Sequence, residues 1–186
     1  MATIYNTILP VWKFWAKMNR QLTDGKERAQ GSLKMNVTKT VTLFDDAGNK
    51  TVKGKAKFGG GFTQELSDKD GNPIGVLRKK PVDNRGIATG SSDLWVIEKG
   101  GNTHLFMQAR RFKDVSPRLI KTDINLQSTG GTVWEIIGAG NKPVGTIVHN
   151  TGFNDEWDLV LEDGASEEDR LLCLMMFGYK LHNLIS

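Results

Sequence analysis

The sequence has little cysteine and little proline: one cysteine and five prolines in 186 residues. A single cysteine excludes an internal disulfide and a cysteine-rich zinc site, and it is typical of a reducing compartment. Twenty-one glycines beside so few prolines favour tight turns and therefore many strands. We expect no signal peptide, because Pro10, Lys13 and Lys17 interrupt the only early apolar stretch. These features predict a globular protein of the cytoplasm.

Long apolar runs are also scarce: the longest runs from Leu171 to Phe177 and begins a mostly apolar segment near the end, at residues 171–185. These 15 residues make about 22 Å of helix, too little for the roughly 30 Å of hydrocarbon in a bilayer. A helix that is apolar on all sides yet too short to span is usually enclosed by protein. Ser166 suits the N-cap, and three acidic residues follow it. We therefore predict a core helix over residues 166–186.

Between residues 33 and 161 the pattern alternates between strands and turns. The stretch 33–44 alternates apolar and polar residues, and "DDAGN" at 45–49 then predicts a hairpin turn. "DKDGN" at 68–72 repeats this unit, and it is a turn instead of a calcium loop, because the twelfth position is Lys79. The repeated unit indicates an antiparallel meander or barrel.

A short N-terminal helix is predicted over Val11 to Gln21, because Pro10 suits a first helical turn. Its apolar stripe contains Trp12 and Trp15, with basic side chains opposite or flanking. Such a helix could lie in a membrane interface, with Trp at the depth of the headgroups. The alternative is that the stripe closes one end of the barrel.

The order of these elements resembles the superfamily that contains the tubby C-terminal domain, the phospholipid scramblases and, most similar to this chain, the LURP-one-related proteins. The resemblance rests on "LFDDAGNKTVKGKAKF", "ELSDKDGNPIGVLRKK", "GNKPVGTI" and "DEWDLVLEDGASEEDRLLCLMMFGYKLHNLI". It implies a mainly β fold: a closed antiparallel barrel of about twelve strands around the hydrophobic C-terminal helix. We expect one domain over residues 1–186, with an amphipathic segment at 1–32, the barrel at 33–165 and the helix at 166–186.

Charge is distributed unevenly along the chain. Residues 1–122 hold 22 Lys and Arg against 11 Asp and Glu, whereas residues 123–186 hold 3 against 10. Unless the two parts interleave so that their fields cancel, this leaves a basic face for anionic partners. The candidate phosphate-binding residues form three clusters: Lys53, Lys55 and Lys57; Arg78, Lys79 and Lys80; and Arg110 and Arg111.

Catalytic signals are weak. His104, His149 and His182 show no metal-ligand spacing, and Cys173 lies in the apolar run, where a thiol is inert. "GAGNKPVG" lacks the Lys-Ser/Thr of a phosphate loop. We therefore assign no catalytic residue, metal site or cofactor.

The resemblance and the basic clusters together predict a membrane-proximal binding or scaffolding protein that recognises anionic, phosphoinositide-like phospholipid headgroups. Two alternatives stay open. One is a nucleic-acid-associated regulatory module that uses the same basic surface, and the other is a small-molecule-binding protein or enzyme with a site at a barrel mouth.

Overall fold

In the residues that the computed structural model describes (3–9, 18–57, 62–81, 93–111, 132–151 and 154–182), twelve antiparallel strands form a closed barrel. Each strand pairs with its neighbours in the sequence, and the first strand pairs with the last along seven residues. The strands are β1 (Thr3–Leu9), β2 (Asn19–Thr23), β3 (Ala29–Met35), β4 (Val41–Phe44), β5 (Lys50–Ala56), β6 (Thr63–Asp68), β7 (Pro73–Pro81), β8 (Asp93–Lys99), β9 (Asn102–Arg111), β10 (Thr132–Ile137), β11 (Pro143–Thr151) and β12 (Asp155–Leu161). The predicted closed barrel is confirmed.

The barrel begins earlier than we expected. Strands β1 and β2 and the start of β3 lie within residues 1–32, so the boundary at residue 33 is wrong. The predicted helix is also wrong where the structure describes it, because residues 19–21 belong to β2. There Arg20 and Leu22 are buried and their neighbours Asn19 and Gln21 are exposed, which is the period of a strand. Residues 11–17 lie outside the described residues.

The single α-helix of the described residues, α1 (Glu167–Leu181), lies inside the barrel. One buried apolar cluster joins its side chains to inward side chains from all twelve strands. The strand members include Tyr5, Leu22, Leu33, Leu43, Val52, Leu66, Leu77, Ile97, Leu105, Ile136, Ile147 and Leu159. From Leu172 to Leu181 every residue of α1 is buried. The apolar run is therefore core, as predicted, over Leu172 to Leu181.

Glycines let the helix approach the sheet. A Cβ atom at Gly54 would lie 2.1 Å from the Tyr179 hydroxyl oxygen, and one at Gly178 would lie 2.9 Å from a methyl carbon of Leu33. The Tyr179 hydroxyl donates a hydrogen bond to Gln64 Oε1 at 2.9 Å. These contacts fix the rotation of α1 against β3, β5 and β6.

Residues 45–49 and 68–72 form matching hairpin turns, as predicted. In each, the aspartate accepts a hydrogen bond from the backbone N–H four residues later, at 2.7 and 2.8 Å. Gly48 and Gly71 have φ of +83° and +89°, a conformation that suits glycine. The same local chemistry therefore makes both reversals.

The helix begins as its sequence predicts. The Ser166 hydroxyl accepts a hydrogen bond from the Asp169 backbone N–H at 3.0 Å, and the first turn holds three acidic residues, which the helix dipole favours. Among the described residues, no helix combines the length and the apolar character needed to pass through a bilayer.

The outer face of the barrel has two different parts. Because side chains alternate along a strand, residues next to the inward core residues point outward. On β3–β7 most outward side chains are exposed or half-buried, and we call this face the charged wall. On β8–β12, the covered wall, many outward side chains are buried although they lie outside the core cluster. They include Val96, Glu98, Val133, Glu135, Ile137, Thr146, Val148, Asn150, Asp158 and Val160.

Candidate phosphate-binding surface

Strand β5 supplies the centre of the charged wall. Val52 and Gly54 are buried inside the barrel, and the alternating Lys53 and Lys55 are exposed outside. Lys57 follows directly after the strand and forms an ion pair with Glu65, with 2.9 Å between nitrogen and oxygen. The predicted face of three lysines therefore exists, but one of the three is already paired with a carboxylate.

A cross-strand row places lysines and hydroxyls side by side. Lys34 on β3 lies opposite Thr42 on β4, Thr42 lies opposite Lys53 on β5, and Lys53 lies opposite Ser67 on β6. Neighbouring strands are about 4.8 Å apart, so the backbones that carry the two lysines are about 10 Å apart. The row contains two cations, two hydroxyls and no carboxylate, which is a composition that suits a phosphate.

Sequence reasoning missed three members of this row: Lys34, Thr42 and Ser67. Their signal was the alternation in "SLKM", "VTL" and "ELS", which places Lys34, Thr42 and Ser67 on the outward face. The pairing register that brings them beside Lys53 depends on the turns and cannot be seen in one strand.

The second predicted cluster is divided by the pleat of β7. Arg78 and Lys80 point outward, and both form ion pairs with Glu98 on β8. Burial raises the pKa of Glu98, but the bonds from Lys80 and Arg78 outweigh it and hold that pKa below its ordinary value. One buried carboxylate therefore pairs with both cations and offsets one of their two positive charges.

Lys79 lies on the other face of β7, so the three basic residues of "LRKK" do not share one surface. It alternates with Arg78 and lies opposite Trp95, an inward core residue. Its ammonium nitrogen stands 6.0 Å from the centroid of the Trp95 ring.

The third predicted cluster lies two strands further, on β9. The Arg110 Nε donates to Glu135 Oε2 at 3.1 Å, so this guanidinium also serves a buried carboxylate of the covered wall. The Arg111 side chain, Trp12 and Trp15 lie outside what the structure describes, and their roles stay predictions.

A polar and aromatic cluster lies inside the barrel, near the C-terminal end of α1. The Lys180 nitrogen stands 3.8 Å from the centroid of the Trp134 ring, Trp134 stacks on Trp157 at 5.8 Å, and Trp157 stacks on His149 at 3.9 Å. Burial lowers the pKa of Lys180 to about 8. A barrel-mouth site would lie here. The faces of the rings, however, are in contact with one another and with Lys180.

Arg20 joins three strands beside this cluster. Its side chain is 2% exposed, and it donates to Thr7 Oγ1 at 3.2 Å and to Asp155 Oδ2 at 2.7 Å. Burial raises the pKa of Asp155, but the hydrogen bonds from Arg20 and Trp157 outweigh it and lower the pKa. Arg20 therefore holds β2 to β1 and β12.

The described residues offer little chemistry for catalysis or metal binding. Cys173 is fully buried, and burial raises the pKa of its thiol. Within the described ranges, no three His, Cys, Asp or Glu side chains are grouped to hold a metal ion. No protein-family model, curated protein or solved structure matches the chain.

Proposed function

We propose that the charged wall binds the phosphates of anionic phospholipids and that the protein is a membrane-proximal binding or scaffolding protein. The observation that carries the proposal is the row Lys34, Thr42, Lys53 and Ser67, with Lys55 beside it. Lys53 and Lys55 are exposed, and neither forms an ion pair with any described residue.

Electrostatics favours this ligand. Each Lys or Arg near an anionic leaflet contributes about 1 kcal/mol, and neighbouring antiparallel strands of the charged wall present several such groups on one face. The paired cations Lys57, Arg78 and Lys80 contribute less, because Glu65 and Glu98 already offset their charge.

The resemblance to the tubby-like and LURP-one-related proteins supports the same function. A closed barrel of twelve strands around an apolar helix is the architecture that this resemblance implies. The proposal includes the corresponding location: the cytoplasm, at the periphery of membranes.

Nucleic acid is a weaker ligand for this surface. Binding of single strands uses exposed aromatic rings between the cations. On the described outward face of β3–β7, the one aromatic ring is that of Phe44, and it is half-buried. Its centroid lies 4.9 Å from the Lys34 ammonium nitrogen.

Vesicle co-sedimentation across a salt series tests the proposal, with phosphatidylcholine vesicles that contain phosphatidylserine. Lys53→Glu changes the charge of the row by two units, and we expect roughly thirtyfold weaker binding from about 1 kcal/mol per charge. Lys142→Glu is the matched control, because this exposed lysine follows the Ala139–Asn141 turn on the other side of the barrel. We expect its binding to stay within about threefold of wild type.

Equal losses in both variants would show that net charge alone matters and would remove the row from the proposal. Binding that does not weaken with salt would contradict an electrostatic site. Tighter binding to DNA than to vesicles at the same salt would replace phospholipid by nucleic acid as the ligand.

A further inference from the structure

The large apolar side chains that stay exposed are gathered at one end of the barrel. Among the described residues there are three: Ile8, Met18 and Val37, at 51%, 38% and 88% exposure. Ile8 lies near the end of β1, Met18 directly precedes β2, and Val37 lies in the turn between β3 and β4. Because neighbouring strands are antiparallel, these three positions lie at the same end.

The two ends of the barrel also differ in charge. At the end opposite Val37, the described turns and the first turn of α1 hold eleven Asp and Glu against six Lys and Arg. These residues lie within 24–28, 45–49, 68–72, 99–102, 138–142 and 162–170. At the end that carries Val37, the exposed Lys34, Lys39 and Lys55 form no ion pair with any described residue. We call this end, as far as it is described, the basic end.

The described carboxylates at the basic end leave these lysines unopposed. Glu65 pairs with Lys57, and Asp155 pairs with the buried Arg20. Glu156 lies on β12, to one side of the exposed lysines. From β1 to β5 the basic end therefore presents cations together with apolar side chains.

Hydrogen bonds hold the turn that carries Val37. The Asn36 Oδ1 accepts bonds from the Thr38 N–H at 3.1 Å, the Thr38 hydroxyl at 2.7 Å and the Thr40 N–H at 2.9 Å. The Lys39 N–H donates to the Asn36 carbonyl oxygen at 3.0 Å. Since the turn is already formed, binding through Val37 does not have to order it, and that entropic cost is avoided.

We propose that the basic end docks on membranes of anionic phospholipid, an inference that rests on the proposed function. Val37 enters the interface between headgroups and acyl chains, with Ile8 and Met18 beside it. Lys34 and Lys39 stay at the level of the phosphates, and the adjoining charged wall tilts towards the headgroups. An apolar tip among cations matches the layers of an anionic leaflet, which has phosphates outside and hydrocarbon within. The acidic opposite end points away from the membrane.

A fluorescent probe at residue 37 tests this inference. Val37→Cys, labelled with an environment-sensitive NBD group, is mixed with phosphatidylcholine vesicles that contain phosphatidylserine. The native Cys173 is buried at 0% exposure and does not take the label in the folded protein. Ala47→Cys is the matched control, because Ala47 is exposed in the turn at the other end of β4.

We expect vesicles to raise the emission of the probe at residue 37 at least about twofold, and nitroxide groups on the acyl chains to quench it. Emission from residue 47 should change by less than about a tenth. Equal changes at the two positions would overturn docking through the basic end.

Tryptophan variants give a second readout without a label. Val37→Trp should sediment with the same vesicles at least about fivefold more tightly than wild type, because indole favours the membrane interface. Ala47→Trp should bind as the wild type does. Thermal unfolding checks that each variant is folded. Equal affinities for the two variants would also overturn the inference.

The two proposals fail in different ways. If phospholipid binding is right and docking through the basic end is wrong, the wild type still binds vesicles with salt dependence and Lys53→Glu still binds more weakly, but the probe at residue 37 does not respond. A wild type that does not bind these vesicles would overturn both proposals. Equally tight binding to pure phosphatidylcholine would overturn the role of the lysines.

Discussion

The charged wall and the covered wall share one strand geometry and differ in what their outward side chains meet. On β5, the outward Lys53 and Lys55 are exposed. On β11, the outward Thr146 and Val148 are fully buried. The sequences show the same difference: "KTVKGKAK" alternates, whereas "GTIV" and "DLVL" are nearly continuous apolar runs, which is typical of strands buried on both faces.

The difference shows that the availability of a basic residue to a ligand depends on its distance from the buried carboxylates of the covered wall. Near the covered wall, Arg78, Lys80 and Arg110 bind the buried Glu98 and Glu135. Buried carboxylates need such partners, so these three cations stabilise the fold. On the charged wall, Lys53 has hydroxyls beside it instead.

The largest expected effect comes from placing one acidic residue on each wall. Val148→Asp puts an unpaired charge in a fully buried outward position, and it should lower the free energy of unfolding by about 4 kcal/mol. Lys55→Asp makes the same residue at an exposed outward position and should change that free energy by less than about 0.5 kcal/mol. Urea denaturation at neutral pH measures both.

If Val148→Asp proves too unstable to purify, Val148→Ala should still lose about 2 kcal/mol. Comparable stabilities for Val148→Asp and Lys55→Asp would mean that the two walls do not differ in solution.

A smaller effect is expected where the two parts of the wall meet, at β1 and β2. Arg20→Ala removes the bonds to Thr7 and Asp155 and should cost about 3 kcal/mol, since a buried ion pair is broken. Arg20→Lys should keep only part of that free energy of unfolding, because an ammonium lacks the planar, forked set of donors of a guanidinium.

The cost of Arg20→Ala should depend on pH with a definite sign. The lowered pKa of Asp155 means that its stabilising effect is present above the ordinary value of 3.8 and is lost as the pH falls through the folded value. Urea denaturation of both proteins at pH 7 and near pH 3 measures this. A difference that does not shrink in acid would exclude the ion pair as its origin.

The smallest effect concerns His182, just after α1. Both ring nitrogens are buried without a partner, and burial, with a further contribution from Arg20, lowers its pKa to about 4. Stability from this histidine is present above its ordinary pKa of 6.5 and is lost as the pH falls towards 4. Wild type should therefore lose about 2 kcal/mol more than His182→Leu over that range. Parallel pH profiles would contradict the buried neutral imidazole.

Local patterns predicted much of this fold because their causes are local. The turns at 45–49 and 68–72 depend on an Asp side chain and a glycine within five residues, and the N-cap at Ser166 depends on the next three residues. The sequence predicts a helix at β2 because Leu22, with Met18 and the tryptophans before the strand, also fits helical spacing. Pairing with β3 along five residues decided for a strand.

Only the local part of the candidate site could be predicted from the sequence. Alternation alone places Lys53 and Lys55 on one face, and it also places Lys79 opposite Arg78. Whether a lysine meets a hydroxyl or a carboxylate depends on the neighbouring strand, whose register no single segment contains.

By itself, the sequence determined where strands reverse, which residues face inward and that the last helix must be enclosed, because these follow from side-chain chemistry within a few positions. Only the tertiary structure decided that Glu98 and Glu135 take Arg78, Lys80 and Arg110 while Lys34 and Lys53 remain beside hydroxyls. It also left β1 and β2 joined at one pair. Those outcomes depend on which strands become neighbours when the barrel closes, and closure is a property of all twelve strands together.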